Sequence, residues 1–273
     1  MKVWLDGSVL DADEARISVR DHGLTVGDGV FETMKVVDGV PFAFRRHLVR
    51  LQGSAGRLGL VAPSEAELRA AAAELIAAHA PGEVGRLRIT LTGGDGPPGT
   101  ERGEGGPTLL MVTGPARHID APAVLATVPW VRNERSAVAG SKTTSYAENV
   151  VALAWARERG ADEALFTDTR GNVCECTGSN VFWVRGGRIF TPALSTGCLA
   201  GVTRGLVRLW SGAEEVEAPL MTLADAEEVF VTSSTRDVHA VRAVDERTFP
   251  APGPVTALAA AEFAKRSAEQ PDP

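Results

Sequence analysis

The chain has 273 residues, 44% hydrophobic and 23% charged, with a formal net charge of −7. Such a length allows two domains or one large one with ample core, and the acidic balance argues against nucleic acid as the main partner. Three cysteines without a CxxC pair and five scattered histidines suggest a reducing compartment and no metal centre, and the absence of a signal-peptide core or a long apolar run leads us to expect a cytoplasmic protein with no membrane partner.

In chain order, Lys2–Leu5 and Ser8–Leu10 flank the hairpin signal Asp6-Gly7. Glycine-rich turns, Arg20–Gly23 and Gly27–Gly29, lead into a strand from Val30 to Val37. Alternation puts Phe31, Thr33 and Lys35 on one face and Val30, Glu32 and Met34 on the other. A Glu among apolar neighbours is either an edge-strand solubility device or a site residue, and the strand alone does not separate the two. Leu48, Leu51, Ala55 and Leu58 predict a helix over Arg45–Leu58. Ser64 and Glu67 form a capping-box signal for a second helix, Glu65–Ala80. Strands Arg86–Thr92 and Thr108–Thr113 are joined by the Gly/Pro-rich loop Gly93–Pro107, a surface excursion or a lid.

Gly114–Pro122 reads as a linker, which gives domains of residues 1–113 and 123–273. Beyond it come a short strand Ala123–Val128, an irregular stretch Pro129–Gly140, and a helix Ala147–Arg159. Strands Glu163–Thr167, Val173–Cys176, Asn180–Val184 and Arg188–Phe190 follow. Then come a helix Val202–Trp210, the segment Val216–Ala218, a short helix near Leu223–Ala226, a strand Val229–Thr232, and a last helix Val255–Ser267. Strands and helices mix without strict alternation, so the expected class is α+β.

Lys142 is the sole lysine between Lys35 and Lys265, and it lies among small hydroxyl residues near Tyr146, the only tyrosine. Lysine can lose its proton and attack a carbonyl, which arginine cannot. On position alone a solvated helix-start lysine is the simpler account. Glu175 sits in an apolar strand, where a carboxylate is costly unless it meets a cation or donors. Gly201-Val202-Thr203 opens a helix after a glycine-rich loop and can hold an anion, and Ser233-Ser234-Thr235 presents hydroxyls to the same kind of group. Arg50 could add a charge-assisted contact. Each has a bland explanation as a cap, a turn or a solvated charge. Together they supply an amine, a carboxylate and an anion cup.

The pattern Lys142 … Glu175-Cys176-Thr177-Gly178-Ser179-Asn180 … Leu199-Ala200-Gly201-Val202-Thr203, with Gly27–Glu32 and His47–Leu51 upstream, resembles the fold-type IV (class IV) pyridoxal-phosphate enzymes. That family includes D-amino acid and branched-chain aminotransferases and 4-amino-4-deoxychorismate lyase. The resemblance implies a two-domain fold with pyridoxal 5′-phosphate at the domain interface, and a homodimer. It implies that Lys142 forms a Schiff base with the cofactor and that Glu175 faces the ring nitrogen. A carboxylate about 4 Å from a cation contributes roughly 4 kcal/mol at an effective dielectric near 20, enough to hold that nitrogen protonated. By the same resemblance Arg50, Val202, Thr203 and Ser234 hold the phosphate, Leu199 packs on the ring, and Tyr146 reaches its phenolic oxygen. Phe31 stands where D-amino acid enzymes carry Tyr. Their Arg-x-His carboxylate trap is replaced by Pro97 and Gly99, which leaves Arg135 and Arg236 as candidates for the substrate carboxylate. The expected activity is transfer of an amino group from an amino acid, of D configuration, to a 2-keto acid; the alternative is the lyase, releasing pyruvate and 4-aminobenzoate.

Overall fold

The computed structural model describes residues 1–116 and 119–273. Residues 117 and 118, inside the expected linker 114–122, lie outside the described residues. The chain divides into two compact units, Met1–Arg117 with Ser141–Tyr146 and Pro271–Pro273, and His118–Gly140 with Ala147–Gln270. The segment carrying Lys142, expected within residues 123–273, groups with the first unit because its backbone pairs there. Phe31 N–H donates to Lys142 C=O at 3.0 Å and Thr144 N–H to Gly29 C=O at 2.8 Å.

In the first unit, β1 (Lys2–Leu5) and β2 (Ser8–Asp11) make the expected hairpin. A single helical turn, α1 (His22–Thr25), precedes β3 (Gly29–Val37) and β4 (Val40–Pro41). Then come the helices α2 (Phe44–Arg57) and α3 (Glu65–Ala77) and the strands β5 (Arg86–Thr92) and β6 (Thr108–Gly114). The strands form one antiparallel sheet in the order β2-β1-β6-β5-β3-β4. Val30, Met34 and Val36 of β3 meet Leu87, Ile89 and Leu91 of β5 in one core with Phe44, Leu48 and Leu51 of α2 and Leu68 and Leu75 of α3. The apolar stripe of α2 is thus its sheet-facing stripe. Helix α3 has the capping box read from Ser64 and Glu67 and ends at Ala77, three residues before the expected Ala80.

Loop 93–107 is tied down. Arg102 grips Asp28 through Nε and Nη2 at 2.6 Å each and donates to Leu58 C=O at 2.7 Å. At Gly94, φ is +77° and a Cβ would lie 1.8 Å from Gly106 C=O, so only glycine fits.

The second unit is built on β7 (Ala123–Arg132), β8 (Glu163–Asp168), β9 (Val173–Cys176), β10 (Asn180–Arg185), β11 (Arg188–Pro192), β12 (Glu214–Val216), β13 (Glu228–Ser233), β14 (Asp237–Val244) and β15 (Arg247–Thr248). These form a mixed sheet in the order β12-β11-β10-β13-β14-β7-β8-β9, with β15 on β14. Its helices are α4 (Ala147–Arg157), α5 (Val202–Ser211) and α6 (Pro254–Glu269). Trp183 and Phe182 point to opposite sides of β10: Trp183 joins the Val181, Val229 and Val231 core, and Phe182 stacks on Phe230 with centroids 4.8 Å apart. Strand β7 runs four residues past the expected Val128, through Pro129. The ladder with β8 shifts register between Thr127 and Val131, a bulge that absorbs the missing N–H of proline. That extension places Arg132 opposite Asp168. Among the described residues no helix is long and apolar enough to cross a membrane.

Glu32 is not a solvent-facing edge residue. Strand β3 pairs with β5 along its length, its other side meets the Lys142 segment at Phe31 and β4 only at Val36 and Val37, and the Glu32 carboxylate is fully buried on the α2 side of the sheet. Arg50 grips it bidentately, Nε to Oε1 and Nη2 to Oε2, both at 2.7 Å, and His47 Nδ1 lies 2.6 Å from Oε2. His47 and Arg50 project together because they are three residues apart on α2. Burial alone would raise the Glu32 pKa; the Arg50 charge and hydrogen bonds, helped by His47, overrule it and pull the value down to about 2. Burial also holds His47 below its ordinary value, so its neutral ring donates Nδ1–H to the carboxylate. The folded pKa of Glu32 is below the unfolded value near 4.5. Its contribution to stability is therefore complete above about pH 4.5 and is lost as pH falls toward 2. Glu32→Gln is expected to cost about 3 kcal/mol in urea unfolding at pH 7, with the gap from wild type narrowing at pH 3. An equal gap at both pH values would refute this account.

Candidate active site

In the first unit the lysine is held at both ends of its peptide. Lys142 C=O accepts from Phe31, and Lys142 N–H donates to the buried Ser54 Oγ at 3.1 Å. Ser54 lies four residues beyond Arg50 on α2, so the helix that grips Glu32 also seats the lysine backbone. Ser54 carried no signal in the sequence; a serine mid-helix reads as a neutral surface residue until its partner is known.

The Lys142 side chain is half-buried, with Nζ 3.1 Å from Tyr146 Oη and 4.2 Å from the Phe31 ring centroid. Tyr146 meets the same ring edge-on at 5.1 Å. Phe31 therefore touches both the amine and its phenol partner. Arg88, opposite Thr33 in the β3–β5 ladder, stacks its guanidinium over Phe31 at 3.7 Å. No carboxylate lies within ion-pair distance of Arg88 among the described residues. Arg88 was missed because an arginine in an alternating strand reads as a solvated outer position. Only the register with β3 shows that its face is the lysine's face.

In the second unit, Glu175 lies on β9 opposite Phe166 and its side chain is 13% exposed. Its Oε2 accepts from Leu199 N–H at 2.8 Å, and its Oε1 is 3.3 Å from Arg132 Nε. The costly buried carboxylate thus meets both a donor and a cation. Leu199 C=O accepts from Asn180 Nδ2 at 2.8 Å. Helix α5 begins at Val202 with Gly201 as N-cap and no side-chain cap. A Cβ at Gly201 would fall 2.0 Å from Asn180 Oδ1, so a larger residue there would have to displace the Asn180 amide that holds Leu199 C=O. The first-turn N–H groups of Val202 and the buried Thr203 form the positive end of a ten-residue helix, which suits an anion. Ser234 is half-buried in the turn after β13.

The two carboxylate candidates differ. Arg236 donates to the buried Glu163, which also accepts from Gly178 N–H and Ser179 Oγ, so this guanidinium braces the turn after β9. Arg135 is exposed. All three cysteines are free and buried.

Residues 29–244 match the family described as amino-transferase class IV. A protein of Methanocaldococcus jannaschii, provisionally named a branched-chain-amino-acid aminotransferase, is 34% identical over 258 residues, covering 90% of this chain and 89% of its own. A D-alanine aminotransferase of Bacillus licheniformis is 30% identical over 272 residues, covering 94% and 93%. The structure of a branched-chain aminotransferase from Thermoproteus uzoniensis with norvaline is similar with a TM-score of 0.87 and 30% identity, covering 97% of this chain and 94% of that one. The chain belongs to the class IV aminotransferases, the pyridoxal-phosphate-dependent enzymes of fold type IV.

Proposed function

We propose that the enzyme moves the amino group of a D-amino acid to a 2-keto acid, with Lys142 as the catalytic amine. The observation that carries this is one aromatic ring, Phe31, with the Lys142 amine and the Arg88 guanidinium both packed on it.

The residues present fit the cofactor. The uncapped start of α5 suits its phosphate, with Val202, Thr203 and Ser234 assigned to it and Arg50, two of whose nitrogens hold Glu32, as a further contact. Glu175, with Arg132 beside it, is assigned to the ring nitrogen, Leu199 to a ring face and Tyr146 to the phenolic oxygen. When bound, the cofactor supplies the carbonyl and the electron sink. Lys142 takes the proton from the amino acid's Cα and returns it during transfer, and Tyr146 Oη, 3.1 Å from Nζ, orients the amine.

Arg88 is assigned to the substrate α-carboxylate. Its guanidinium and the Lys142 amine lie within about 8 Å of each other, since both are in stacking range of one ring. The carboxylate and amine of an α-amino acid lie about 3 Å apart, which fits inside that span. Arg236, engaged by Glu163, is a weaker candidate; Arg135 is exposed, as Arg88 is, and what favours Arg88 is its place on the ring that Lys142 touches. The D preference draws on the Glu32-x-x-Lys35 spacing of β3, which resembles that of D-amino acid aminotransferases, and on D-alanine aminotransferases among the relatives. A homodimer belongs to the same reading, and the exposed Trp130, Val131, Val150 and Val151 supply apolar surface for it.

Purified protein with pyridoxal phosphate should be yellow. Lys142→Ala should lose both that band and at least about 10³-fold in turnover. D-alanine or D-glutamate should bleach the wild-type band and release a keto acid. Bleaching by L-leucine alone would indicate the branched-chain activity instead, and release of pyruvate and 4-aminobenzoate from aminodeoxychorismate the lyase. Arg88→Gln should raise KM for amino acids by roughly 10–100-fold, the loss of one charge-assisted contact. It should leave KM for an amine lacking a carboxylate unchanged; equal effects on both donors would exclude this role. Light scattering should give twice the chain mass of 28.7 kDa, and a monomer mass would exclude the dimer.

A further inference from the structure

Arg132, at the end of β7, is 17% exposed and its guanidinium is held on every side. Nη2 donates to Asn149 Oδ1 at 2.7 Å, Nη1 to the exposed Glu148 at 3.3 Å, and the plane lies 4.2 Å over the buried Phe166 ring. Asn149 Nδ2 in turn donates to Thr177 C=O at 2.8 Å, in the turn just after Glu175. Nε is buried, makes no hydrogen bond, and faces Glu175 Oε1 at 3.3 Å. One guanidinium therefore ties together the end of β7, the first turn of α4 and the strand of Glu175. The irregular stretch expected from Pro129 to Gly140 hid it.

We propose that Arg132 is a positioning residue for the cofactor's ring nitrogen: it fixes the Glu175 carboxylate and, as a cation on the same carboxylate, tempers how strongly that nitrogen holds its proton. This rests on the assignment of Glu175 given above. A carboxylate alone would favour the protonated ring strongly, and a second cation on it weakens that preference. Arg132 is planar and always charged, so it orients the carboxylate without competing for protons.

The other groups around this pair are neutral or matched. Burial pushes the Cys198 thiol up to about 11 and the Cys174 and Cys176 thiols well above their ordinary value. Glu163, near Cys176, is paired with Arg236, and Arg204, near Cys198, with Glu215. Asp168, the ladder partner of Arg132, is bound by Arg170 and Asn172. Glu148, on the outer edge of the guanidinium, is 75% exposed and screened by solvent.

The test is a pH titration of the visible band of the enzyme loaded with pyridoxal phosphate. Removing a cation favours the protonated state of nearby groups. Arg132→Met should therefore move the midpoint up by about one pH unit, while Arg132→Lys should stay within about 0.3 unit of wild type. A purely structural role would lower melting temperature and cofactor affinity and leave the midpoint in place. An unmoved midpoint in Arg132→Met overturns the assignment. Should that variant fail to fold, Arg132→Gln, which keeps a donor toward Asn149, carries the same expectation and the same refutation. A wild type without any visible band overturns the functional reading, and this assignment with it; a band with an unmoved midpoint overturns this assignment alone.

Discussion

The buried carboxylate of Glu32 is the constraint on which the first unit depends. A charge under a sheet is tolerated only with partners in place, and here Arg50 and His47 must both descend from α2 to meet it. That requirement fixes the helix against β3 in one rotation and one translation. Because strand residues alternate, fixing Glu32 downward fixes Phe31 upward, toward Lys142 and Arg88. A slip of one residue in β3 would turn Phe31 toward α2 and take Glu32 away from Arg50 and His47, so the register around Phe31 is enforced from the opposite face of the sheet.

The lysine is placed by backbone more than by side chain. Its N–H and C=O are both engaged, by Ser54 and Phe31, and Thr144 and Gly29 continue the pairing. An amine on such a segment, the one proposed above as catalytic, needs little further ordering, because its preorganisation is built in by folding. The second unit does the same for Glu175, whose two oxygens face different groups on different segments.

Periodicity and caps made α2, α3, the Asp6-Gly7 hairpin and the central strands legible in the sequence, because each carries its own local signal. What was not legible depended on tertiary pairing. Strand β14 was passed over because His239 and Arg242 break its apolar run, yet its alternation buries His239, Val241 and Ala243 against the sheet. Strand β7 was stopped at Pro129 by a rule that a bulge overrides. Of the candidate residues, Lys142 stood out by isolation and Glu175 by its apolar setting. Ser54, Arg88 and Arg132 did not, since each looks like an ordinary polar residue until its cross-strand or cross-helix neighbour is known. The composition of Gly93–Pro107 points to a surface excursion or a lid; Arg102 gripping Asp28 is a long-range contact that composition does not encode.

The division of labour between arginine and lysine follows from the same physics. Glu32, Asp28, Glu163 and Glu175 each sit against an arginine, whose planar fork holds a carboxylate in a set orientation and cannot deprotonate. On the reading proposed above, an acidic chain takes a carboxylate-bearing substrate, and acids held by arginines repel such a group less than bare ones would. Arg88 and Lys142 differ from those arginines in having an aromatic face in place of an acid as their neighbour among the described residues. A cation on a ring is stabilised less than one in a salt bridge, and the carboxylate contact proposed for Arg88 draws on that difference. The pairing of four acids with four arginines and the leaving of these two cations on Phe31 are complementary parts of one electrostatic arrangement.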